Sequence, residues 1–385
     1  MSAPGPRISA GGFRVGIPGY ATPEGTDRFR QRFVGKVAEG HFRRAHDLWL
    51  SSVGLGTYLG DEDAGTDGLY RDAVIRAVEL GCNVVDSAIN YRHQRSERAV
   101  GAALSALVRL GRAARDEILV ATKGGFLPFD GEYPSNPRTY IQETFIRPGI
   151  IQPRDLVAGC HCMAPSYLRH VLARSQQNLG LDCIDLYYLH NPEIQLQEVS
   201  RDEFSARLRD AFATLEEAVA QGAIRMYGTA TWNGYRQPPS ALDSLSLSEI
   251  VALAREVGGR DHHLKVIQLP HNLGMPEAFT RANQLLDGEW VSTLEAASRL
   301  GILVMASASI MQGQMARNLP PRVGEALDGL ATDAQRAIQF VRSTPGLGVA
   351  LVGMKQIAHV EENLATASVA PAPPEDLYRL FRRHA

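Results

Sequence analysis

The sequence lacks the features that mark several protein classes. It has only 4 cysteines in 385 residues, too few for the disulfide framework of a small secreted protein. No apolar run approaches the ~20 residues that a membrane-spanning helix needs. The Pro- and Gly-rich start, Met1 to Gly25, has no apolar core of a signal peptide. We therefore expect a cytoplasmic protein with reduced thiols and no membrane partner.

Neither sign of charge dominates, and no metal motif is complete. The formal net charge of −2 gives no electrostatic reason to expect nucleic acid as a partner. A basic run with interleaved phenylalanines, Arg28 to Arg44, has no broader basic face beside it, so we expect it to form a cap with its rings turned inward. In Cys160-His161-Cys162 the spacer is shorter than zinc sites use, so we expect no metal.

What the sequence does contain is a regular alternation of short apolar runs with amphipathic stretches, such as Gly68 to Leu80 and Val291 to Leu300. The apolar runs are Ser52 to Thr57, Asn83 to Asp86, Ile118 to Lys123, Ile184 to His190, Ile224 to Thr229, Leu264 to Leu269, Ile302 to Ser307 and Val349 to Val352. Such runs are typical of buried parallel strands. Strand followed by helix, eight times, predicts a (β/α)8 TIM barrel.

The chain is longer than a barrel requires. We expect an N-terminal extension that caps the barrel at residues 1–47, the barrel at 48–369, and a C-terminal tail helix at 370–385. The longest loop, Lys123 to about Pro165, is rich in aromatic residues, which predicts an ordered active-site lid. Phe126, Phe129 and Tyr133 are candidates for one wall of a substrate pocket, with Trp232 opposite.

Four polar side chains stand at or just beyond the carboxyl ends of three successive predicted strands: Asp86, Tyr91, Lys123 and His190. Catalytic groups in parallel barrels come from these strand ends. An ammonium beside a phenol favours the phenolate, so we expect Lys123 to lower the pKa of Tyr91, with Asp86 holding the ammonium. His190 is suited to orient a carbonyl whose oxygen takes the proton. The set predicts carbonyl reduction.

The ordered motifs resemble those of the aldo-keto reductase family over roughly residues 48 to 368. They are Gly54-Leu55-Gly56-Thr57, Asp86 to Tyr91 with Ser96-Glu97, Ala121-Thr122-Lys123, Asp185 to His190, Gln268, and Val360-Glu361-Glu362-Asn363. The resemblance implies a nicotinamide-dependent, metal-free oxidoreductase acting on a small aldehyde or ketone. It makes Tyr91 the acid, Lys123 and Asp86 its tuning pair, and His190 the group that positions the substrate.

The resemblance also implies a set of cofactor-binding residues, with Gln268 on the carboxamide and Ser307 near the pyrophosphate. They are Gly56, Thr57, Asp86, Thr231, Gln268, Ser307, Lys355, His359, Glu362 and Asn363. Ala230 and Thr231 replace a family Ser-Asn pair, and Ala306 takes the place where many members stack an aromatic ring on the nicotinamide. Gly353 and His359 stand where a basic pair would hold a 2′-phosphate. NADP(H) is favoured, and NAD(H) is possible.

These departures leave an alternative of another class, a non-catalytic or regulatory barrel with impaired cofactor binding. The same proton chemistry also serves alcohol oxidation, or an oxidation and reduction in sequence that isomerises a sugar. Substrate, direction and oligomeric state stay open at this point.

Overall fold

The protein is described by a computed structural model over residues 16–381; the predictions for residues 1–15 and 382–385 lie outside the described residues. Its strands are β1 (Phe42–Ala45), β2 (Leu48–Ser51), β3 (Val53–Gly56), β4 (Val84–Asp86), β5 (Leu119–Gly124), β6 (Ile184–His190), β7 (Ile224–Ala230), β8 (Leu264–Pro270), β9 (Ala282–Leu286), β10 (Glu289–Ser292), β11 (Leu303–Ser307) and β12 (Val349–Gly353).

The α-helices of the same part of the chain are α1 (Pro23–Gln31), α2 (Ala64–Glu79), α3 (Arg95–Arg109), α4 (Pro137–Ile141), α5 (Pro165–Leu179), α6 (Arg201–Ala220), α7 (Leu247–Gly258), α8 (Glu277–Thr280), α9 (Thr293–Leu300), α10 (Pro321–Ala326), α11 (Asp333–Ser343), α12 (Ile357–Leu364) and α13 (Pro374–Phe381). Among those described, no helix is both long enough and apolar enough to cross a bilayer.

Eight parallel strands close into a barrel in the order β3, β4, β5, β6, β7, β8, β11, β12, with β12 pairing back onto β3. The prediction of a (β/α)8 barrel is therefore confirmed, and each predicted apolar run matches a barrel strand to within one residue at either end. The strands are mostly apolar because side chains on both faces are buried, by the barrel interior and by the helices.

Successive residues of a strand point to opposite faces, so each strand feeds two cores. On β4, Val84 packs inside the barrel with Leu119 and Leu186, whereas Val85 packs outward against the helices. This alternation decides which side chains at the strand ends face the barrel mouth.

The segment before the barrel closes the amino-terminal end of the strands. Leu48 and Leu50 of the β1–β2 hairpin belong to the same interior cluster as Val84, and the backbone N–H of Ser51 donates to Asn83 Oδ1 at 2.8 Å. Phe29 on α1 is buried against the hairpin. The predicted inward placement of the phenylalanines agrees with this packing. The open end of the barrel is consequently the carboxyl end.

Two local predictions were wrong. The helix expected from Val291 begins at Thr293, because Val291 and Ser292 pair in the β9–β10 hairpin and the Ser292 side chain accepts the backbone N–H of Glu295 at 3.2 Å. Gly258 directly follows the amphipathic stretch Ser246 to Val257, and a glycine at that place is expected to end the helix with positive φ. It lies inside α7 instead, and Gly259 takes that conformation with φ +71°.

Candidate functional site

A cleft of ≈ 950 Å³ opens at the carboxyl ends of the barrel strands. The last residues of β3, β4 and β6, Gly56, Asp86 and His190, line it, as do Ala230 at the end of β7 and Ser307 at the end of β11. Parallel strands all finish on this rim, so residues far apart in sequence meet here. The volume lies within the range of pockets that hold large organic ligands.

The structure brings the predicted site residues together around this cleft. Those that line it are Gly56, Thr57, Asp86, Tyr91, His190, Thr231, Gln268, Ser307, Lys355, His359, Glu362 and Asn363. Lys123 lies beneath the wall with an exposed fraction of 0%, and reaches the cleft through Asp86. Its Nζ donates to Asp86 Oδ1 at 2.5 Å and to the carbonyl oxygen of Ser87 at 2.7 Å.

The electrostatics of Tyr91 differ from the sequence-based expectation. Lys123 Nζ lies 4.9 Å from the centroid of the Tyr91 ring. Burial, followed by the negative charge of Asp86, nevertheless raises the pKa of Tyr91 well above its ordinary value. Burial also lowers the pKa of Lys123, although Asp86 opposes this. The expected lowering of the Tyr91 pKa is not found in this structure, because burial and then the charge of Asp86 both raise it.

Asp86 also contacts the far side of the barrel. Gln268 Nε2 donates to Asp86 Oδ2 at 2.9 Å, and Gln268 is itself buried. Thr57 Oγ1 donates to the backbone carbonyl of Asp86 at 3.2 Å. Gln268 lines the cleft as expected, but sequence reasoning gave no sign of its contact with Asp86, since β4 and β8 lie on opposite sides of the barrel.

His190 is uncharged and lies beside Tyr91 in the wall of the cleft. Its ring centroid lies 5.8 Å from that of Tyr91 and 5.0 Å from that of Phe126. Burial, together with the positive charge of Lys123, lowers the pKa of His190 well below its ordinary value. An uncharged imidazole can donate a hydrogen bond from one nitrogen without repelling the nearby ammonium.

His161 supports His190 from outside the cleft. Its Nε2 lies 2.7 Å from the carbonyl oxygen of His190, and its Nδ1 lies 2.8 Å from Gln195 Nε2. Because a carbonyl only accepts and an amide nitrogen only donates, the proton of His161 sits on Nε2. Within residues 16–381, no group of three or more His, Cys, Asp or Glu side chains is arranged to hold a metal ion.

Two positions that depart from the family pattern, Thr231 and Ala306, lie on different faces of the barrel wall. Thr231 lines the cleft, and its Oγ1 is buried without a hydrogen-bond partner among residues 16–381. Ala306, expected at the nicotinamide ring, instead packs in the outer cluster that contains Phe340. Ser307 and Ala308 line the cleft there. The expectation failed because Ala306 belongs to the outward-facing set of β11.

The aromatic walls also differ from prediction. Phe126 and Trp232 line the cleft, but Phe129 and Tyr133 pack against each other in the lid, with ring centroids 5.1 Å apart. The expected wall is therefore wrong for those two residues. Sequence reasoning missed Tyr58, which lines the cleft with its ring centroid 4.9 Å from that of Tyr91. Its position two residues after β3 was an available signal.

Arg317 is a second missed residue. Arg317 lies in the segment that follows β11, and it lines the cleft together with Lys355 and His359. Helix α11 contacts both the cleft and α12. Its Ala334 lines the cleft, and its Gln335 Nε2 donates to the carbonyl oxygen of Glu362 in α12 at 2.9 Å. The sequence had offered only Lys355 and His359 as basic groups for the expected cofactor site.

Residues 52–253, more than half of the chain, match the family model described as the aldo/keto reductase family. The chain is 28% identical over 189 residues to an NADH-specific methylglyoxal reductase of Escherichia coli K12, covering 48% of this chain and 49% of that protein. It is 32% identical over 157 residues to a D-threo-aldose 1-dehydrogenase of a Pseudomonas species, covering 40% and 42%. The chain thus spans about half of the length of these relatives.

Solved structures agree in fold. An aldo/keto reductase from Klebsiella pneumoniae, crystallised in complex with NADP and acetate, superimposes with a TM-score of 0.59 at 20% identity. The match covers 89% of this chain and 94% of the Klebsiella chain. At this identity the likeness shows the fold alone.

Proposed function

Because the chain belongs to the aldo/keto reductase family, we propose that it reduces an aldehyde or ketone with a nicotinamide cofactor and that Tyr91 is the proton donor. One observation carries this proposal. The buried Lys123–Asp86 pair lies directly beneath the phenol of Tyr91, in the wall where His190 also faces the cleft. A phenol, an ammonium and a neutral imidazole at one point of a cleft suit proton transfer to a carbonyl oxygen.

At neutral pH, Tyr91 is in the protonation state that carbonyl reduction requires. The raised pKa of Tyr91 keeps its proton on the phenol, ready for donation. The alkoxide produced by carbonyl reduction is a stronger base than a phenolate, so the transfer is downhill. The ammonium of Lys123, 4.9 Å from the ring centroid, then stabilises the phenolate that remains. Alcohol oxidation would instead require Tyr91 to lose its proton first.

The residues present fit a nicotinamide cofactor. The unpartnered Oγ1 of Thr231 and the amide of Gln268 are suited to a carboxamide, and Ser307 to a phosphate oxygen. When bound, the reduced nicotinamide supplies a hydride to the carbonyl carbon. For this chain we favour NADP(H), because Arg317 joins Lys355 and His359 as a basic side chain on the same cleft and Arg recognises phosphate well.

Substrate contacts fall to His190 and the aromatic walls. A neutral His190 donates a hydrogen bond to the carbonyl oxygen, while Phe126, Tyr58 and Trp232 provide apolar surface around it. Tyr58 and Trp232 are 55% and 45% exposed, which leaves their rings free to cover a bound molecule. This arrangement suits a small carbonyl compound with an apolar substituent.

The proposal predicts that Tyr91→Phe removes most turnover and leaves cofactor binding nearly intact. We expect a fall in kcat of about 10²- to 10⁴-fold, the usual contribution of a positioned acid. The assay follows NADPH oxidation with small aldehydes and ketones, and fluorescence titration gives NADPH affinity.

Tyr58→Phe is the matched control for this experiment, since it also removes a phenol hydroxyl from the same wall. We expect this variant to keep most of its activity. Equal turnover in Tyr91→Phe and the unchanged protein would show that another group donates the proton.

A further inference from the structure

A buried carboxylate outside the proton-donating set connects the segment after His190 to the loop that follows the neighbouring strand β7. Glu193 lies three residues after His190 in a short 3-10 turn, Pro192–Gln197, and is only 4% exposed. Its Oε1 accepts the backbone N–H groups of Trp232 at 2.7 Å, Asn233 at 3.1 Å and Gly234 at 3.4 Å. One carboxylate oxygen therefore accepts hydrogen bonds from the three consecutive backbone N–H groups that follow Thr231 in the loop after β7.

The loop that Glu193 holds forms part of the cleft. Thr231 and Trp232 both line it, and Trp232 is 45% exposed there. On its other side, the loop is held by Arg236, whose Nε donates to the carbonyl oxygen of Trp232 at 3.0 Å. The position of Trp232 thus depends on an acceptor at its amide and a donor at its carbonyl.

The environment of Glu193 brings the charged and neutral forms of its carboxyl group close in free energy at neutral pH. Burial raises the pKa of Glu193 to about 7, although the three loop N–H groups favour the charged form. Its other oxygen, Oε2, is buried without a partner in the described part of the chain. The ionisable groups around Glu193 include Tyr235, which is hydrogen-bonded to Thr229, Asp243 on the side-chain amide of Asn233, and Arg236, paired with Glu277. His161 and Arg207 contact the same turn through Gln195.

We propose that Glu193 is a positioning residue whose ionised form fixes the Thr231–Trp232 wall of the cleft and whose protonated form loosens it. Hydrogen bonds to a charged acceptor are roughly twice as strong as those to a neutral one. Protonation therefore weakens three contacts at once, because all three amides share the same oxygen. The wall is held more firmly as the pH rises through neutrality.

Fluorine NMR of the full chain labelled with 5-fluorotryptophan tests this directly. The chain has 3 tryptophans, and Trp49 and Trp290 serve as internal controls. We expect the Trp232 resonance to shift with a midpoint near pH 7 and the shift to vanish in Glu193→Gln, which should stay at the low-pH position. A Trp232 resonance that does not titrate in the unchanged protein, or one that keeps its midpoint in Glu193→Gln, overturns the proposal.

Glu198→Gln is the matched control, because Glu198 ends the same 3-10 turn and also accepts a backbone N–H, from Ala158 at 2.7 Å, but is exposed. Its Trp232 titration should be unchanged. Circular dichroism checks the folding of each variant, and the titration of the unchanged protein stands without any variant.

The kinetic consequence rests on the proposed carbonyl reduction. We expect KM for the carbonyl substrate to rise about fivefold below pH 7, with a smaller change in kcat, and Glu193→Gln to show the high KM at every pH. A KM profile that still depends on pH in Glu193→Gln counts against the proposal. If no carbonyl is reduced at all, the proposed function fails, while the fluorine titration still decides the role of Glu193.

Discussion

At the scale of single residues, Asp86 links Lys123 on the neighbouring strand to Gln268 on the opposite side of the barrel. One of its oxygens accepts from Lys123, and the other accepts from Gln268 across the barrel. Both Lys123 and Asp86 are buried, with exposed fractions of 0% and 4%. A buried charge that loses its partner is costly, so the stability of this wall depends on the pair being complete.

This pairing predicts a stability effect that is separate from catalysis. We expect Lys123→Met to lower the free energy of unfolding by about 3–5 kcal/mol, because Asp86 is left as an uncompensated buried charge. The double variant Lys123→Met/Asp86→Asn should recover much of that loss while remaining inactive. Urea unfolding measures both. A single variant as stable as the unchanged protein would mean that Asp86 is not held by Lys123.

Residue identities at the strand ends were readable from the sequence, but their environments were not. Asp86, Tyr91 and His190 were placed at the rim because each follows a recognisable strand. The direction of the Tyr91 pKa shift depends on burial, which only the packed structure reveals. The outward placement of Ala306 likewise depends on the strand register, and a shift of one residue reverses the face.

At the scale of elements, the two segments after β11 and β12 bring basic side chains to one cleft. Arg317 follows β11, and Lys355 follows β12. Helix α11 packs between them, and its Gln335 Nε2 donates to the carbonyl oxygen of Glu362. This arrangement offers charge to a phosphate without the paired arginines that the sequence lacks.

We expect Lys355→Ala to weaken NADPH binding about tenfold, or ~1.4 kcal/mol, and to change NADH binding little, because only NADPH carries the 2′-phosphate. Lys265→Ala, at the amino-terminal end of β8, is the control with the same charge change. Calorimetric titration gives the affinities. Equal weakening of both cofactors would assign Lys355 to the pyrophosphate instead.

The barrel strands and most helices were predictable because their apolar periodicity is strong. The β9–β10 hairpin was missed, although the sequence contained its signal. Asp287 and Gly288 have φ of +52° and +85°, and an Asp-Gly pair is the favoured two-residue hairpin turn. The helix boundary at Thr293 follows from that turn.

At the scale of the whole molecule, the closed barrel has a covered end and an open end. The β1–β2 hairpin covers the amino-terminal end of the strands, and the cleft occupies the carboxyl end. The fold class was predictable from eight strand–helix repeats, whereas the packing of the long lid was not. Aromatic content predicts an ordered lid but cannot say which rings face the cleft, as Phe126 does, and which face each other, as Phe129 and Tyr133 do.

Calorimetric titration of the purified protein with NADPH and, separately, NADH tests the central proposal most directly. A dissociation constant on the order of micromolar or lower is expected for at least one of them, with NADPH the tighter. If neither binds while circular dichroism shows an intact fold, the cleft does not hold a nicotinamide cofactor. Ala230 and Gly353 would then mark a lost cofactor site, and the barrel would not be a reductase.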